Sequence, residues 1–314
     1  MKTTLYSTVS AAALLACAAP AIADAGFSGV AQLYLGGGTA ESTFFAGDVY
    51  GNPFIYGGKA QGYWTLSPEV HLQADLFAQQ TDDLFEGGEA SSETDSTRFG
   101  GALHLLHPLA DRARLGVAGS IWNTDVGVGN FNTAFLGGGD ATFGLGAIEG
   151  QFFEGNWTLS GQAGVFTTFS CDGQVVGCFG VIEGGTFVRG KIRYFLNDNT
   201  QLSLEGLQMW AGVDDDLFSG KTIRATSSIW TFEAEHRFRE SPFSAFVALA
   251  HQNDEVNMII PIETETQTVS FGVKFYLDQA SLKTNDRSGA AMDTPTFGNA
   301  IEGSAPGPLI FGGP

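Results

Sequence analysis

After its first 25 residues the sequence contains no apolar run that approaches the roughly 20 residues needed by a membrane-spanning helix. Basic residues are also scarce, because 15 lysines and arginines stand against 34 aspartates and glutamates, for a net charge of −19. This balance excludes nucleic acid as a partner, since its phosphates require clustered basic side chains. It also argues against peripheral binding to an anionic membrane surface.

Motifs for catalysis and for cofactor binding are missing as well. The sequence has no G-x-S-x-G elbow, no H-E-x-x-H zinc motif, no phosphate-binding loop and no dinucleotide fingerprint. The five histidines are scattered, and His71 and His104, which both fit an inward face, have no motif around them. We therefore predict that the protein is not an enzyme and holds no cofactor or metal. The alternative is a membrane hydrolase that uses these two histidines.

The N-terminus predicts a secretory signal peptide over residues 1–23. Lys2 supplies the positive region, Leu5–Ala19 is mostly small and apolar, and Ala21-Ile22-Ala23 forms an A-x-A cleavage site. The mature chain then begins near Asp24, and its compartment is the oxidising periplasm or beyond.

Cysteine is nearly absent, with three residues in the chain. Cys171 and Cys178 bracket the segment CDGQVVGC, in which Asp172 and Gly173 favour a tight turn. We predict a disulfide between them at the tip of a loop. Closing so short a loop contributes about 2.5 kcal/mol in the chain-entropy model. Zinc binding is the alternative, although no histidine lies nearby in sequence.

Short runs with a period of two occupy most of the remaining chain. From Val70 to Gln80 apolar residues alternate with mostly polar ones, which is typical of a strand with unlike faces. Twelve strands are predicted, near residues 26–36, 53–65, 69–80, 96–106, 112–123, 140–153, 156–169, 184–196, 200–211, 223–238, 242–252 and 265–277.

The connections between these strands alternate in length. Leu66–Pro68 and Glu154–Gly155 are short, whereas Gly37–Asn52 and Thr124–Gly139 are long. Outer-membrane barrels have short periplasmic turns and longer extracellular loops, and an even strand number leaves both chain ends in the periplasm. The predicted fold is therefore all-β: a closed antiparallel transmembrane β-barrel of about twelve strands, with that arrangement of turns and loops.

The alternation also places the mid-strand charges on the inner face. A lysine or arginine on the lipid face at the bilayer midplane costs about 2–4 kcal/mol. Rings of charged side chains select solutes in channels, and Arg189, Lys191 and Arg193 form a ladder on one strand. The residues predicted to line the lumen and set selectivity are Arg98, Arg114, Arg189, Lys191, Arg193, Glu205, Glu233, Glu235, Arg237 and Lys274. The alternative is that these charges pair and fill a narrow barrel.

Together these features resemble Gram-negative outer-membrane β-barrels of the porin-like kind, over residues 26–277. The resemblance implies a location in the bacterial cell outer membrane, with its lipid and lipopolysaccharide as partners. It also implies a channel for the passive diffusion of ions or small polar solutes. Barrels of about eight strands are packed inside and those of 16–18 are open, so twelve strands leave conduction undecided. The alternative is a closed structural or adhesive barrel that acts through its acidic extracellular loops.

Two predicted extracellular loops carry clustered carboxylates, and oxygen ligands of this kind suit hard cations. These loops are predicted to enrich cations or to bridge divalent ions to lipopolysaccharide, and the alternative is a solvated acidic surface. The candidate cation-binding residues are Asp82, Asp83, Glu86, Asp214, Asp215 and Asp216.

The composition changes after residue 277. The segment from Asp278 to Pro314 contains four prolines, several glycines and little alternation. The sequence thus divides into a signal peptide (1–23), an outer-membrane β-barrel (24–277) and a disordered periplasmic C-terminal tail (278–314). An alternative reading makes this tail a plug or a tether, with Pro308–Phe311 as its apolar anchor.

Overall fold

The computed structural model describes residues 26–44, 47–87, 90–129, 139–173, 182–213, 223–239, 241–257, 262–277 and 281–295. Within these ranges no helix is long and apolar enough to cross a membrane. The strands are β1 (Phe27–Phe44), β2 (Gly47–Gly51), β3 (Phe54–Ser67), β4 (Val70–Gly87), β5 (Ala90–Leu109), β6 (Ala113–Gly129), β7 (Gly139–Glu154), β8 (Trp157–Gly173), β9 (Ile182–Asn197), β10 (Thr200–Val213), β11 (Ile223–Arg237), β12 (Phe243–Asn257) and β13 (Ile262–Tyr276). One α-helix, α1 (Leu282–Ser288), follows them.

The strands form one closed antiparallel barrel. From β3 onward each strand pairs with the next in sequence, β3 also pairs with β1, and β13 pairs with β1 to close the sheet. The closing register runs from Val30 opposite Tyr276 to Thr43 opposite Glu263. The short strand β2 extends one end of the sheet by pairing with β1 and β4. Twelve strands thus close the barrel, as the sequence predicts.

Most strands extend further on the long-loop side than the sequence predicts. β1 reaches Phe44 rather than residue 36, and β4 reaches Gly87 rather than residue 80. Backbone pairing continues there, although apolar and polar residues no longer alternate clearly along the sequence. The same loss of alternation explains why the sequence did not predict β2.

The two faces of the strands differ in exposure as the alternation predicts. On β4, Gln73 and Asp75 are 0% and 1% exposed inside the barrel, whereas the outward Leu76 is 50% exposed. Ile148 and Val165 are among the most exposed outward apolar residues, at 68% and 60%. So large an apolar surface calls for a nonpolar environment, and the hydrocarbon of a bilayer provides it.

Gly155, in the short turn between β7 and β8, has a φ of 56°. A side chain in this left-handed conformation costs about 1–2 kcal/mol. We expect Gly155→Ala to lower the free energy of unfolding by about 1 kcal/mol, measured by urea unfolding in detergent micelles. Gly190→Ala is the matched control, because an added Cβ at the outward Gly190 meets no atom within 4 Å. An equal loss in both variants would contradict the conformational explanation.

Candidate functional site

Residues 281–295 return into the barrel from the end that carries the short turns. The Ser281 hydroxyl caps α1 by accepting a hydrogen bond from the Thr284 backbone N–H at 3.2 Å. Lys283 Nζ donates to Asn156 Oδ1 at 2.7 Å, which holds the helix against the β7–β8 turn. Beyond α1 the chain continues without regular structure along the lumen to Pro295. We call residues 281–295 the plug.

The plug corrects one prediction from the sequence. Composition predicted disorder throughout residues 278–314, but residues 281–295 form a helix and a buried segment. Composition misled because the partners that order this segment are side chains of distant strands rather than its own neighbours. Residues 296–314, including the predicted anchor Pro308–Phe311, lie outside the described residues.

The wall of the barrel binds the backbone of the plug. Five carbonyl oxygens of the plug accept hydrogen bonds from wall side chains. Because a buried carbonyl without a partner is costly, these side chains make the lumen a specific seat for this segment. The wall donors are Arg114 to Asp286 and Gly289, Arg193 to Ala291, Gln61 and Gln73 to Met292, and Arg189 and Gln162 to Asp293. Within the plug, Asn285 donates to the Ala290 carbonyl.

Two carboxylates of the plug are held by cations of the wall. Arg193 bridges them, with Nη1 at 2.8 Å from Asp286 Oδ1 and Nη2 at 2.9 Å from Asp293 Oδ2. Lys191 Nζ lies 2.9 Å from Asp293 Oδ2 and Lys59 Nζ lies 3.1 Å from Asp293 Oδ1. Burial raises the pKa of Asp293, but the nearby cations lower it more, so this pKa lies well below its ordinary value. Asp293 is therefore ionised at neutral pH.

A second group of titratable side chains lies beside the plug. His104 Nδ1 is 2.9 Å from Glu149 Oε2, and His104 Nε2 is 3.7 Å from Asp75 Oδ2. Asp75 also accepts a hydrogen bond from the Thr294 hydroxyl of the plug at 2.9 Å. His71 contacts the Tyr63 hydroxyl through Nδ1. The two histidines singled out in the sequence thus take part in separate contacts and do not form a pair.

The predicted lumen residues lie on inner faces of the strands, and their role in selectivity stays a prediction. Four of them, Arg114, Arg189, Lys191 and Arg193, contact the plug. The others make contacts within the wall. Three ion pairs join Glu205 to Arg189 at 2.6 Å and Lys274 to Glu233 at 2.9 Å and to Glu235 at 2.7 Å. Two guanidinium groups lie over aromatic rings: that of Arg237 is 4.8 Å from the centre of the Tyr276 ring, and that of Arg98 is 5.5 Å from the centre of the Phe77 ring.

Sequence reasoning did not select Lys59, Glu149, Asp286 and Asp293. Lys59 and Glu149 could have been found, because the alternation of their strands places both side chains on the inner face of the barrel. No local signal marked the two aspartates, because they lie outside the strands and their partners are far away in sequence.

The lumen narrows at two apolar clusters. At the short-turn end, the plug completes a basal cluster of Val30, Tyr63, Leu106, Phe195, Tyr276, Leu282, Ala290 and Met292. On the long-loop side of the plug, inner-face residues of β6–β11 form an apolar layer of Trp122, Ala141, Phe143, Leu145, Phe166, Phe187, Leu207, Met209, Ala211 and Ala225. Glycine makes room for these rings, because a Cβ at Gly164 would lie 2.8 Å from Phe187 and 2.2 Å from the Gly146 carbonyl oxygen.

A cavity of 340 Å³ remains beside the plug. The hydrogen bonds of the plug to strand residues are to strands from β3 to β9. The cavity extends from β9 through β10–β13 and β1 to β3–β5, so it also borders the cations that hold the plug. Along β13 its lining extends from Tyr276 to Thr268, so it follows much of the strand. The wall side chains that line it are largely polar, among them Gln32, Gln201, Ser203, Glu205, Thr231, Glu233, Ser270 and Lys274.

Several predicted sites concern residues whose side chains the structure does not describe. Of the candidate cation-binding residues, only Asp82 has a described side chain, and it accepts a hydrogen bond from Gln80 Nε2 at 2.9 Å. Asp83, Glu86, Asp214, Asp215 and Asp216 lie outside the described side chains, as does the predicted Cys171–Cys178 disulfide. The predicted signal peptide also lies outside the described residues. In the described part of the chain, no group of three or more His, Cys, Asp or Glu side chains is placed to hold a metal ion.

No protein-family model matches the chain, and no curated protein sequence matches it. Several solved structures share its fold. An outer-membrane channel from Pseudomonas putida F1 has a TM-score of 0.52 and 9% identity, covering 79% of this chain and 95% of that one. The translocator domain of the autotransporter NalP from Neisseria meningitidis has a TM-score of 0.49 and 14% identity, and the match covers 88% of this chain and 99% of that domain. A FadL homologue from Pseudomonas aeruginosa has a TM-score of 0.44 and 8% identity, and the match covers 80% of this chain and 90% of the homologue.

The likeness to the Pseudomonas putida channel shows the fold. Together with the outward apolar band, this fold defines the class of the protein: a Gram-negative outer-membrane β-barrel with a segment of its own chain seated in the lumen. The location predicted from the sequence, the bacterial outer membrane, is confirmed. The outward apolar surface is consistent with contact of the barrel with lipid, and lipopolysaccharide and ions as partners stay predictions.

Proposed function

We propose that the protein is an outer-membrane channel for ions and small polar solutes, and that its C-terminal plug is the gate. The observation that carries this proposal is the seating of the plug through polar contacts: the carbonyls of Asp286, Gly289, Ala291, Met292 and Asp293 and two carboxylates are bound by wall side chains. A barrel that stays closed needs no such polar seat, since wall side chains alone can pack the interior of a small barrel.

The contacts of the plug suit release as well as seating. Water and dissolved ions also satisfy these groups in the released state, so a hydrogen bond between neutral groups contributes only about 0.5–1.5 kcal/mol net and one to a charged group about 1.5–3 kcal/mol. Buried ion pairs likewise recover little more than their desolvation cost. The apolar contacts that the plug gives up on release are those of three residues in the basal cluster, Leu282, Ala290 and Met292.

The solute class follows from the cavity beside the plug. Its wall offers amide, hydroxyl, carboxylate and ammonium groups to a solute, among them Gln201, Thr231, Glu233 and Lys274. Its volume of 340 Å³ lies at the low end of small-molecule sites, which occupy about 300–1,000 Å³. Small polar solutes and hydrated ions therefore fit this route better than large or apolar compounds.

Two truncations test the gate. A chain that ends at Leu277 lacks the plug, and we expect its conductance in planar bilayers to exceed that of the full chain by about tenfold or more, because the emptied twelve-stranded lumen is wider than a packed one. A chain that ends at Pro295 keeps the plug and is the matched control, so it is expected to stay closed. Folding of both truncated proteins is verified by the change in their gel mobility on heating. If both were folded and equally closed, the proposal would be contradicted.

A closed structural or adhesive barrel is the second candidate function. The apolar layer and the basal cluster favour it, because both narrow the lumen independently of the ionic contacts. The Leu277 truncation separates the two candidates, since a structural barrel remains closed without its plug. Catalysis forms no part of either proposal, and the contacts of His71 with Tyr63 and of His104 with Glu149 support structural roles for both histidines.

A further inference from the structure

We propose that the seat of the plug is itself a binding site for a small dicarboxylate, and that Asp286 and Asp293 occupy this site in place of the solute. The inference rests on the proposed function, because it names the solute class and the trigger of the same gate. The plug is then a competitive occupant that an arriving dianion displaces.

The charge of the seat is the first argument. Without the plug, the wall that faces it carries more arginine and lysine side chains than carboxylates, even when His104 is left out. The cations are Lys59, Arg114, Arg189, Lys191 and Arg193, and the carboxylates are Asp75, Glu149 and Glu205. The two carboxylates of the plug balance the excess. A released plug leaves buried positive charge uncompensated, which is costly unless another dianion replaces it.

The geometry of the seat is the second argument. One guanidinium, that of Arg193, binds both plug carboxylates through its two terminal nitrogens, at 2.8 Å and 2.9 Å. Lys191 contacts the same Asp293 oxygen, Oδ2, as Arg193, and Lys59 contacts the other oxygen, Oδ1. The Thr158 hydroxyl donates to the Asp286 carboxylate. Two carboxylates a short distance apart are thus the chemistry that this seat recognises, since arginine binds carboxylates through paired donors.

Access to the seat is the third argument. The 340 Å³ cavity is lined by Arg189, Lys191 and Arg193 and also by Asp286 and Asp293 of the plug. A solute in the cavity therefore meets the cations while the plug is still seated. It can take over their contacts one at a time, so displacement does not require the plug to leave first.

Binding to the full-length protein in detergent provides the test, with succinate as the probe. We expect Asp286→Asn/Asp293→Asn to bind succinate at least about tenfold more tightly than the unmodified protein, because a competitor lowers apparent affinity in proportion to the fraction of sites it occupies. A merely structural role for the two aspartates predicts weaker binding or none. Asp111→Asn, in the exposed turn before β6, is the matched control and is expected to bind as the unmodified protein does.

Conductance then separates this inference from the proposed gate. Succinate is expected to raise the open probability of the unmodified channel severalfold, whereas acetate and the neutral solute erythritol are not. The double variant is expected to be open without succinate, and added succinate is expected to leave its open probability unchanged. If the double variant conducts but neither protein binds succinate, the dicarboxylate site is refuted and the gate stands. If the double variant binds succinate tightly but never conducts, the gate is refuted and the site stands.

Discussion

Replacing Arg193 by glutamine is expected to release the plug and open the channel. The side chain binds Asp286, Asp293 and the carbonyl of Ala291 at once. Removing one partner of a buried ion pair costs about 3–5 kcal/mol, because the other charge is left buried and poorly compensated. The equilibrium between seated and released plug therefore shifts by roughly a hundredfold or more. The measurement is open probability in planar bilayers at a fixed salt concentration.

Two further variants show whether the effect comes from the plug. Arg193→Lys keeps the charge but cannot bridge two carboxylates with paired nitrogens, so we expect an intermediate open probability. Lys274→Gln removes a lumenal cation that pairs with Glu233 and Glu235 rather than with the plug. It is expected to leave the channel closed. If the Lys274 variant opened as much as the Arg193→Gln variant, any change of lumenal charge would perturb the barrel. The specific role of Arg193 in holding the plug would then be refuted.

A charge placed on the lipid face is expected to have the second large effect. Ile148 lies near the middle of β7 and is 68% exposed on the outer surface of the barrel. In Ile148→Arg the guanidinium meets hydrocarbon at the depth of the bilayer midplane, which costs about 2–4 kcal/mol. The free energy of unfolding from liposomes into denaturant measures this loss.

Depth provides the control for this prediction. Leu66, near the end of β3, is 60% exposed, and at such a position an arginine reaches the interface and costs about 0–1 kcal/mol. Ile148→Leu keeps the apolar contact with lipid and is expected to be nearly neutral. If both arginine variants lost the same stability, the outward face would not lie in a membrane, and the channel proposal would fail with it.

Much of the barrel could be predicted from the sequence, because the signals are local. Alternation over ten or so residues identifies a strand, and the same alternation assigns Asp75 to the lumen and Leu76 to the lipid. The strand ends on the long-loop side were harder, since β1 continues to Phe44 although its sequence no longer alternates clearly there. There the hydrophobic pattern stops while the backbone ladder continues.

The sequence by itself determined the number of barrel strands, their inner and outer faces and therefore the environment of the protein, since each is encoded by neighbours along the chain. Only the tertiary structure decided what fills the lumen. Lys59 and Asp293 are 234 positions apart and meet only after the sheet has closed. The inward charges that the sequence assigned to solute selection thus hold a segment of the same chain, because closure brings that segment within hydrogen-bonding distance of them.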